Sequence, residues 1–404
     1  MITKTLSLYK SAYTGLSPST WWLSFVMLVN RSGTMVLPFM TIYLTSPSMG
    51  YSIGQAGIVM ALFGLGSVTG AYWGGKLTDR IGFHRVQLIT LFGGGVLFMV
   101  LGQMQSFPLI CLFTFLLSMV NDAFRPANST AIVAYSKADT RTRSYALNRL
   151  AINLGWALGS AIGGLLASIN YKLLFWVDGA TNISAGILLW VLLHPSKQVI
   201  PEKKKTVADP LHSPYRDKVY LLFILLVILF AGCFFQLFTN LSVYYKNELH
   251  FSERFVGLIG ALNGVMITII EMALISRLEK RRSSIYYIFR GTILVGCAYL
   301  MLNVFHMNHL IALLMMAVMT MGEILALPFM NTFWTSRSAD HNRGQYAGLY
   351  TIAWSIAQTG GPFFGSQIAE HAGFAVLWWV LGGTLFATSI GFLWLQKHIR
   401  TTNA

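Results

Sequence analysis

Long apolar stretches, separated by short polar segments, dominate the sequence from end to end. A helix of about 20 residues crosses the ~30 Å hydrocarbon core of a bilayer. The apolar residues run continuously and do not alternate with a period of two, which favours membrane helices over barrel strands. Twelve spans are predicted, at residues 20–44, 54–76, 86–105, 108–134, 144–168, 171–193, 219–245, 253–276, 285–305, 308–336, 344–368 and 373–396.

One long polar insertion, residues 194–218, separates the sixth predicted span from the seventh. It contains four prolines and the run Lys203-Lys204-Lys205, which is a composition typical of a linker. We therefore predict an N-terminal six-helix bundle over residues 1–193, a cytoplasmic linker over 194–218 and a C-terminal six-helix bundle over 219–404.

The two halves also repeat in sequence. A shift of 201 residues aligns the fourth and fifth spans with the tenth and eleventh without a gap. The aligned pairs include Asp122 with Glu323, Tyr145-Ala146 with Tyr346-Ala347, Gly159 with Gly360, and Gly164 with Gly365. Parallel repeats of this kind are found in transporters built from two similar bundles.

Composition and charge support a membrane protein. Only 11% of the 404 residues are charged, whereas soluble proteins average about 25%. The net charge of +15 would also suit nucleic-acid binding, but the basic residues concentrate in both termini, the linker and the even-numbered loops. The opposite side holds only Lys172, Lys246 and Arg254. By the positive-inside rule, we expect a multi-pass protein of the cell inner membrane with both termini in the cytoplasm and no nucleic-acid partner.

Several other classes of chemistry are disfavoured. All three cysteines fall within predicted spans, where they act as small buried hydrophobic residues rather than as disulfides or metal ligands. Neither a phosphate-binding loop, Gly-x-x-x-x-Gly-Lys-Ser/Thr, nor a His-Glu-x-x-His motif occurs. We therefore expect no enzyme, no cofactor, no metal and no ATP-driven pump. Transport energy would come from an ion gradient or from the gradient of the solute.

A charged turn, residues 74–85, lies between the second and third spans. It carries the pattern Gly75-x-Leu77-x-Asp79-Arg80-x-Gly82-x-His84-Arg85. This pattern resembles the loop 2–3 signature of the major facilitator superfamily of transporters. Together with the twelve spans, the linker and the repeat, the resemblance covers the whole chain. It implies an all-α polytopic membrane protein with twelve transmembrane helices in two six-helix pseudo-symmetric bundles.

The resemblance also implies a role for the turn as a gate. A network formed by Asp79 with Arg80, Arg85 and basic residues of the other bundle would hold the cytoplasmic side closed in the outward-open state. Gly75 would allow close approach of neighbouring helices, and Gly82 would permit the tight turn. The alternative is a turn that only fixes topology.

Glycines of the fifth span form a second motif. Gly155, Gly159, Gly163 and Gly164 resemble the proton-antiporter signature Gly-x-x-x-Gly-Pro-x-x-Gly-Gly, although Ser160 replaces the proline. The eleventh span retains a proline in its related sequence, which contains Gly360 and Pro362. Plain close packing of helices is the alternative explanation for such small residues.

Ionisable residues within the spans are the candidate transport site. Arg31 lies in the first span, Asp122 and Arg125 in the fourth, and Glu323 in the tenth. Charges at bilayer depth are costly and usually functional. In the family fold, spans 1, 4, 7 and 10 line the central cavity, so the resemblance places these four residues together and adds Gln236 and Asn240. Glu271, in the eighth span, is a weaker candidate, and Asp178, in the sixth, is expected to snorkel to the interface.

Three functions remain open. The first is proton-coupled export of small amphipathic or cationic compounds by alternating access, similar to the drug:proton antiporter branch of the family. Asp122 and Glu323 would then bind protons or cationic substrate, with Arg31 and Arg125 as partners. The second is a proton-coupled importer or facilitator of a sugar, peptide or organic acid, whose anionic group the arginines would bind. The third, a receptor or scaffold, leaves the balanced buried charges unexplained.

A static ion-pair network is the structural alternative for these charges. The expected partners are a small-molecule substrate, protons and the lipid bilayer, and we expect the protein to be a monomer.

Overall fold

The computed structural model describes residues 15–137, 140–195, 214–278, 281–338 and 342–402. Helices make up most of these ranges, and no strand occurs in them. The helices are α1 (Pro18–Ser32), α2 (Val36–Leu44), α3 (Ile53–Ile81), α4 (Phe83–Leu101), α5 (Phe107–Asp122), α6 (Phe124–Tyr135), α7 (Arg141–Ala167), α8 (Lys172–Leu192), α9 (Lys218–Phe234), α10 (Asn240–Val243), α11 (Glu253–Leu278), α12 (Ser284–Val304), α13 (His309–Arg337), α14 (Arg343–Ala372) and α15 (Phe374–Thr402).

All twelve predicted spans correspond to helical segments. Three of them are interrupted: the first divides into α1 and α2, the fourth into α5 and α6, and the seventh into α9, a 3₁₀ turn, α10 and a π-helical turn. The twelve spans and the all-α fold class are therefore confirmed. Pro38 and Pro126 favour kinks in the first and fourth spans, whereas the seventh span contains no proline that would indicate its break.

Eleven helical segments in the described residues are long and apolar enough to cross a membrane. The twelfth, α14, is 30 residues long but more polar than the others. One of its polar side chains, Ser366, is buried and donates a hydrogen bond to Asn240 Oδ1 at 3.1 Å. This polar side chain of α14 thus makes a contact within the protein rather than with lipid.

Contacts divide the described chain into two compact units. Among the described residues, the first unit takes those within 15–43, 62–195 and 251–268, and the second takes those within 44–61, 214–250 and 269–402. Helices α3 and α11 each contribute to both units. The division into two sequential bundles stays a prediction, and residues 196–213 of the predicted linker lie outside the described residues.

Glycines bring helix backbones close together in the first unit. A Cβ atom on Gly74 of α3 would lie 2.5 Å from the Cα and carbonyl oxygen of Ala123, and Gly66 and Gly70 face the backbone of α5 in the same way. The glycines recur every four residues, so they form one stripe along α3. This stripe presses α3 onto α5 and onto the junction between α5 and α6.

A second crossing of this kind joins α9 and α14 in the second unit. A Cβ atom on Gly361 would lie 2.5 Å from the carbonyl oxygen of Gly232. Closer to the start of α9, the Phe223 ring packs on the Phe333 ring with centroids 4.5 Å apart, and the Tyr220 ring packs on the Tyr346 ring with centroids 4.4 Å apart.

A polar cluster next to the start of α9 ties three parts of the second unit together. Asp217 Oδ1 accepts hydrogen bonds from Arg337 Nη2 at 2.8 Å and from the Tyr220 N–H at 3.1 Å. Its Oδ2 accepts from Arg337 Nε and from the Tyr346 hydroxyl. Burial alone would raise the pKa of Asp217, but the hydrogen bonds from Arg337 and the Tyr220 N–H outweigh burial and hold its pKa below the ordinary value.

The variant Asp217→Asn is expected to lower the free energy of unfolding by about 1–3 kcal/mol at neutral pH, because Arg337 loses its charged acceptor. The folded pKa lies below the unfolded value of about 3.9, so this contribution is complete above that pH and is lost as the pH falls through the folded pKa. Thermal unfolding in detergent should show a constant difference between wild type and variant down to about pH 4. A difference that already shrinks between pH 7 and pH 5 would contradict the assignment.

Candidate functional site

The break in the first span places a buried carboxylate at the start of a helix. Residues 33–35 separate α1 from α2, and Asp178 of α8 faces this gap. Asp178 Oδ2 accepts hydrogen bonds from the N–H groups of Val36 at 2.8 Å and of Met35 at 3.0 Å, and Oδ1 lies 3.1 Å from the Met35 nitrogen. Asp178 is fully buried, so the expectation that it snorkels to the interface was wrong. The N–H groups at a helix start need acceptors, and Asp178 supplies one.

Arg31 lies in the last turn of α1, beside this break. A Cβ atom on Gly155 of α7 would lie 2.6 Å from the Arg31 Cβ, so α7 approaches α1 closely here. Arg31 is half-buried, and its Nε is buried with no hydrogen-bond partner in the described residues. It interacts electrostatically with both Asp122 and Arg125.

Asp122 and Arg125 form an ion pair at the break in the fourth span. Arg125 Nε lies 2.7 Å from Asp122 Oδ1. The Asp122 side chain is 7% exposed and its Oδ2 has no hydrogen-bond partner in the described residues, whereas the Arg125 side chain is 55% exposed. Pro126, which has no N–H, cannot continue the hydrogen-bonding pattern of α5 across this point. At this mid-span break, the Asp122 carboxylate has one oxygen paired with Arg125 and one without a hydrogen-bond partner among the described residues.

The structure thus brings three of the predicted charges together in the first unit. Arg31, Asp122 and Arg125 sum to one positive charge rather than to zero. A carboxylate oxygen without a partner can accept a proton or a cationic group, and the exposed guanidinium can bind an anion.

Gln236 and Asn240 lie at the break in the seventh span, within the second unit. Gln236 Nε2 donates to the Gly361 carbonyl at 2.6 Å, and Asn240 Nδ2 donates to Gln236 Oε1 at 2.5 Å. Gly365 leaves room for the Gln236 amide, because a Cβ atom at that position would collide with it. Both amides are buried and hydrogen-bonded to one another and to α14, so they link α10 and the 3₁₀ turn after α9 to that helix.

The remaining candidate acids also belong to the second unit. Glu323 lies in the middle of α13 and is half-buried, and Glu271 of α11 is buried. Gly322, next to Glu323, packs α13 closely on α12: a Cβ atom there would lie 2.8 Å from the carbonyl oxygen of Gly291. This crossing fixes the backbone beside Glu323.

The charged turn is more helical than its sequence suggested. Helix α3 continues to Ile81 and α4 begins at Phe83, so Gly82 alone makes the turn, with φ of 90°. This positive φ requires glycine. Phe83 is buried against the Tyr135 ring, with centroids 5.5 Å apart, and His84 Nε2 lies 2.8 Å from the Leu193 carbonyl oxygen.

The other motif residues of the turn have different surroundings. Asp79, Arg80 and Arg85 are exposed. A Cβ atom on Gly75 would meet no other atom within 4 Å, so Gly75 does not provide the close approach predicted for it; its neighbour Gly74 does. The two lie on different faces of α3, which the sequence motif did not distinguish.

The glycines of α7 pack against two different helices. Gly155, Gly159 and Gly163 face the Arg31, Ser32 and Met35 positions around the break in the first span. Gly164 faces α11, where a Cβ atom would lie 2.9 Å from the Gly257 Cα. On α14, which carries Pro362 in its interior, a Cβ atom on Gly360 would meet only Phe364 of its own helix, so Gly361 makes the helix contact instead.

Known proteins resemble this chain over most of its length. The quinolone resistance protein NorA of Staphylococcus aureus (strain COL) is 21% identical over 366 residues, covering 91% of this chain and 93% of that protein. YqjV of Bacillus subtilis (strain 168), an uncharacterized MFS-type transporter, is 22% identical over 358 residues, covering 87% of this chain and 86% of that protein. A crystal structure of the peptide transporter POT in complex with sulfate has a TM-score of 0.79 at 15% identity, with 96% of each chain covered.

The last of these matches shows a shared fold. In addition, a family model described as Major Facilitator Superfamily matches residues 21–362, which is well over half of the chain. The helical spans described above agree with this match. The chain therefore belongs to the major facilitator superfamily, whose members are multi-pass membrane transporters of small molecules.

Proposed function

We propose that this transporter exports small amphipathic or cationic compounds in exchange for protons, by alternating access. The observation that carries the proposal is the buried Asp122 carboxylate, which has one oxygen paired with Arg125 and the other without a hydrogen-bond partner in the described residues. A proton and a cationic substrate can compete for such an oxygen, and competition for one site is the simplest basis for exchange. Glu323, its partner in the sequence repeat, is proposed as the second proton or cation site, with Arg31 and Arg125 as counter-ions.

The relatives add modest support for export. NorA is named for quinolone resistance, and it aligns with 91% of this chain. At 21% identity the name does not transfer directly, so the proposal rests on the carboxylate and the relative supports it. We further propose that the protein lies in the cell inner membrane as a monomer, with both termini and the turn at Gly82 in the cytoplasm. The distribution of basic residues supports this orientation.

A second candidate is proton-coupled uptake of a polar metabolite with an anionic group, such as a peptide or an organic acid. The net positive charge of Arg31, Asp122 and Arg125 taken together favours this candidate, as does the exposed guanidinium of Arg125. The POT peptide transporter, which shares the fold, was crystallised with sulfate.

The direction of coupling distinguishes the two candidates in proteoliposomes. Ethidium is a suitable probe for export because it carries a permanent charge and does not accumulate passively in response to a pH gradient. Antiport predicts ethidium accumulation when the lumen is acidic, whichever way the protein is oriented, with the membrane potential clamped by potassium and valinomycin. Alkalinisation of the lumen on ethidium addition would show the counter-movement of protons.

Protein-free liposomes and the Asp122→Asn variant are the controls. Accumulation of an anionic dipeptide under an acidic exterior, with no response to ethidium, would replace export by uptake. Ethidium movement that is independent of the pH gradient would contradict proton coupling.

A further inference from the structure

Asp178 is a buried carboxylate that the proposed proton exchange does not use. It comes from α8, whereas the N–H groups that it accepts, those of Met35 and Val36, begin α2. Helix α2 is nine residues long, and its partial positive N-terminus favours a negative charge at this position. The carboxylate therefore closes the broken end of the first span from a helix more than 140 residues away in the chain.

Other side chains of α8 hold the same break. A Cβ atom on Gly33 would collide with the Thr181 hydroxyl, so only glycine fits at this point of the gap. Asn182 accepts a hydrogen bond from Asn30 Nδ2 at 2.9 Å and donates one to the Asp178 carbonyl oxygen at 2.8 Å. The end of α1, the gap and the start of α2 are thus all tied to one face of α8.

Arg31 lies between two of these contacts. It follows Asn30 directly and precedes Gly33 by two residues. Its Nε has no hydrogen-bond partner in the described residues, so this atom does not anchor the guanidinium. The backbone that carries the guanidinium is held by α8 on both sides of Arg31 and is packed against Gly155 of α7.

We propose that Asp178 is a positioning residue: its carboxylate fixes the break in the first span and thereby helps to hold Arg31 where it interacts electrostatically with Asp122 and Arg125. The transport part of this inference rests on the proposed function, whereas its structural part does not. An amide replaces the carboxylate only in part. A single asparagine oxygen can still accept from Met35 and Val36, as Oδ2 does, but the second contact to Met35 and the negative charge that favours a helix start are lost.

Two structural readouts test the inference without transport. In Asp178→Asn, amide hydrogen exchange across residues 33–36 should become at least about tenfold faster, because the N–H groups lose their charged acceptor. In a background with Cys111, Cys233 and Cys297 replaced, Arg31→Cys should change its rate of modification by a methanethiosulfonate reagent severalfold when Asp178→Asn is added. Unchanged exchange, or an unchanged modification rate, would overturn the proposal.

Asp217→Asn is the matched control, since Asp217 also caps a helix but lies in the second unit. It should destabilise the protein without altering the modification of Arg31→Cys. If Asp178→Asn does not fold, Gly33→Ala gives a second route, because it displaces the break against Thr181 while the carboxylate remains. In the Gly33→Ala background, the rate of modification of Arg31→Cys is expected to change severalfold, and an unchanged rate would count against the proposal.

A double-mutant cycle tests the functional part. Asp178→Asn is expected to raise the KM for ethidium about threefold or more, and to have little further effect once Arg31→Gln is present, because both changes act through one guanidinium. If the fold-changes in KM caused by Asp178→Asn and by Arg31→Gln simply multiply in the double variant, Asp178 does not act through Arg31 and contributes to stability alone. Absence of ethidium transport in the wild type would defeat the proposed function, while hydrogen exchange and cysteine modification would still decide the role of Asp178.

Discussion

Asp122→Asn is expected to abolish ethidium accumulation driven by an acidic lumen, with a loss of about 10²-fold or more in the initial rate. Asparagine keeps the size of the side chain but can neither bind a proton in this pH range nor attract a cation. The loss should be in coupling rather than in folding, because Arg125 is largely exposed and remains solvated without its partner. The measurement is the initial rate of accumulation in proteoliposomes, with thermal unfolding in detergent recorded for the same preparations.

Two companion variants sharpen this result. Glu323→Gln should also remove coupling, since the sequence repeat assigns it the corresponding role. Glu248→Gln changes an exposed acid by the same chemistry and should leave the rate unchanged. Full coupling in both Asp122→Asn and Glu323→Gln would show that the site assignment is wrong.

Gly74→Ala is expected to lower stability by about 1–3 kcal/mol and to reduce transport as well. The new Cβ atom would lie 2.5 Å from the Cα and carbonyl oxygen of Ala123, which are backbone atoms that cannot rotate away. Either α3 or the junction of α5 and α6 must then move, and Asp122 is the residue immediately before Ala123. Thermal unfolding and ethidium accumulation measure the two effects.

The neighbouring glycine provides the control. Gly75→Ala adds the same methyl group where no atom lies within 4 Å, and alanine favours a helix more than glycine does by about 1 kcal/mol. Its stability should be equal to or above that of the wild type. If Gly75→Ala impairs transport while stability is retained, Gly75 takes part in gating, as the family motif implies. Equal destabilisation by the two variants would contradict the packing described for α3.

Much of the fold could be predicted because lipid leaves the backbone little choice. A continuous apolar segment must form its hydrogen bonds internally, so each long run becomes a helix. The candidate site was predictable in part for a related reason: Asp122 and Arg125 are three residues apart on one helix face, and they do form an ion pair. Arg31 interacts electrostatically with both, while its place in the central cavity that the family resemblance implies stays a prediction.

Other features depend on partners that are remote in sequence. Nothing local to Asp178 distinguishes a snorkelling carboxylate from one that caps a helix, because the N–H groups it binds lie at Met35 and Val36. The amides of Gln236 and Asn240 bond to one another and to α14, partners that the sequence did not indicate, while their place at a substrate cavity stays a prediction. A shift of one residue along α3 also decides which glycine packs against the junction of α5 and α6: Gly74 does, and Gly75 does not.

The sequence by itself determined the number and extent of the membrane helices, the repeat and which ionisable residues lie within the spans, because hydropathy and the cost of burying charge act on each segment separately. Only the tertiary structure showed the break in the seventh span, the residues at which the first and fourth spans divide, and the Asp122 oxygen that lacks a hydrogen-bond partner among the described residues. Those properties depend on which groups from distant helices meet, and a hydrogen bond or a close contact exists only when both partners are in place.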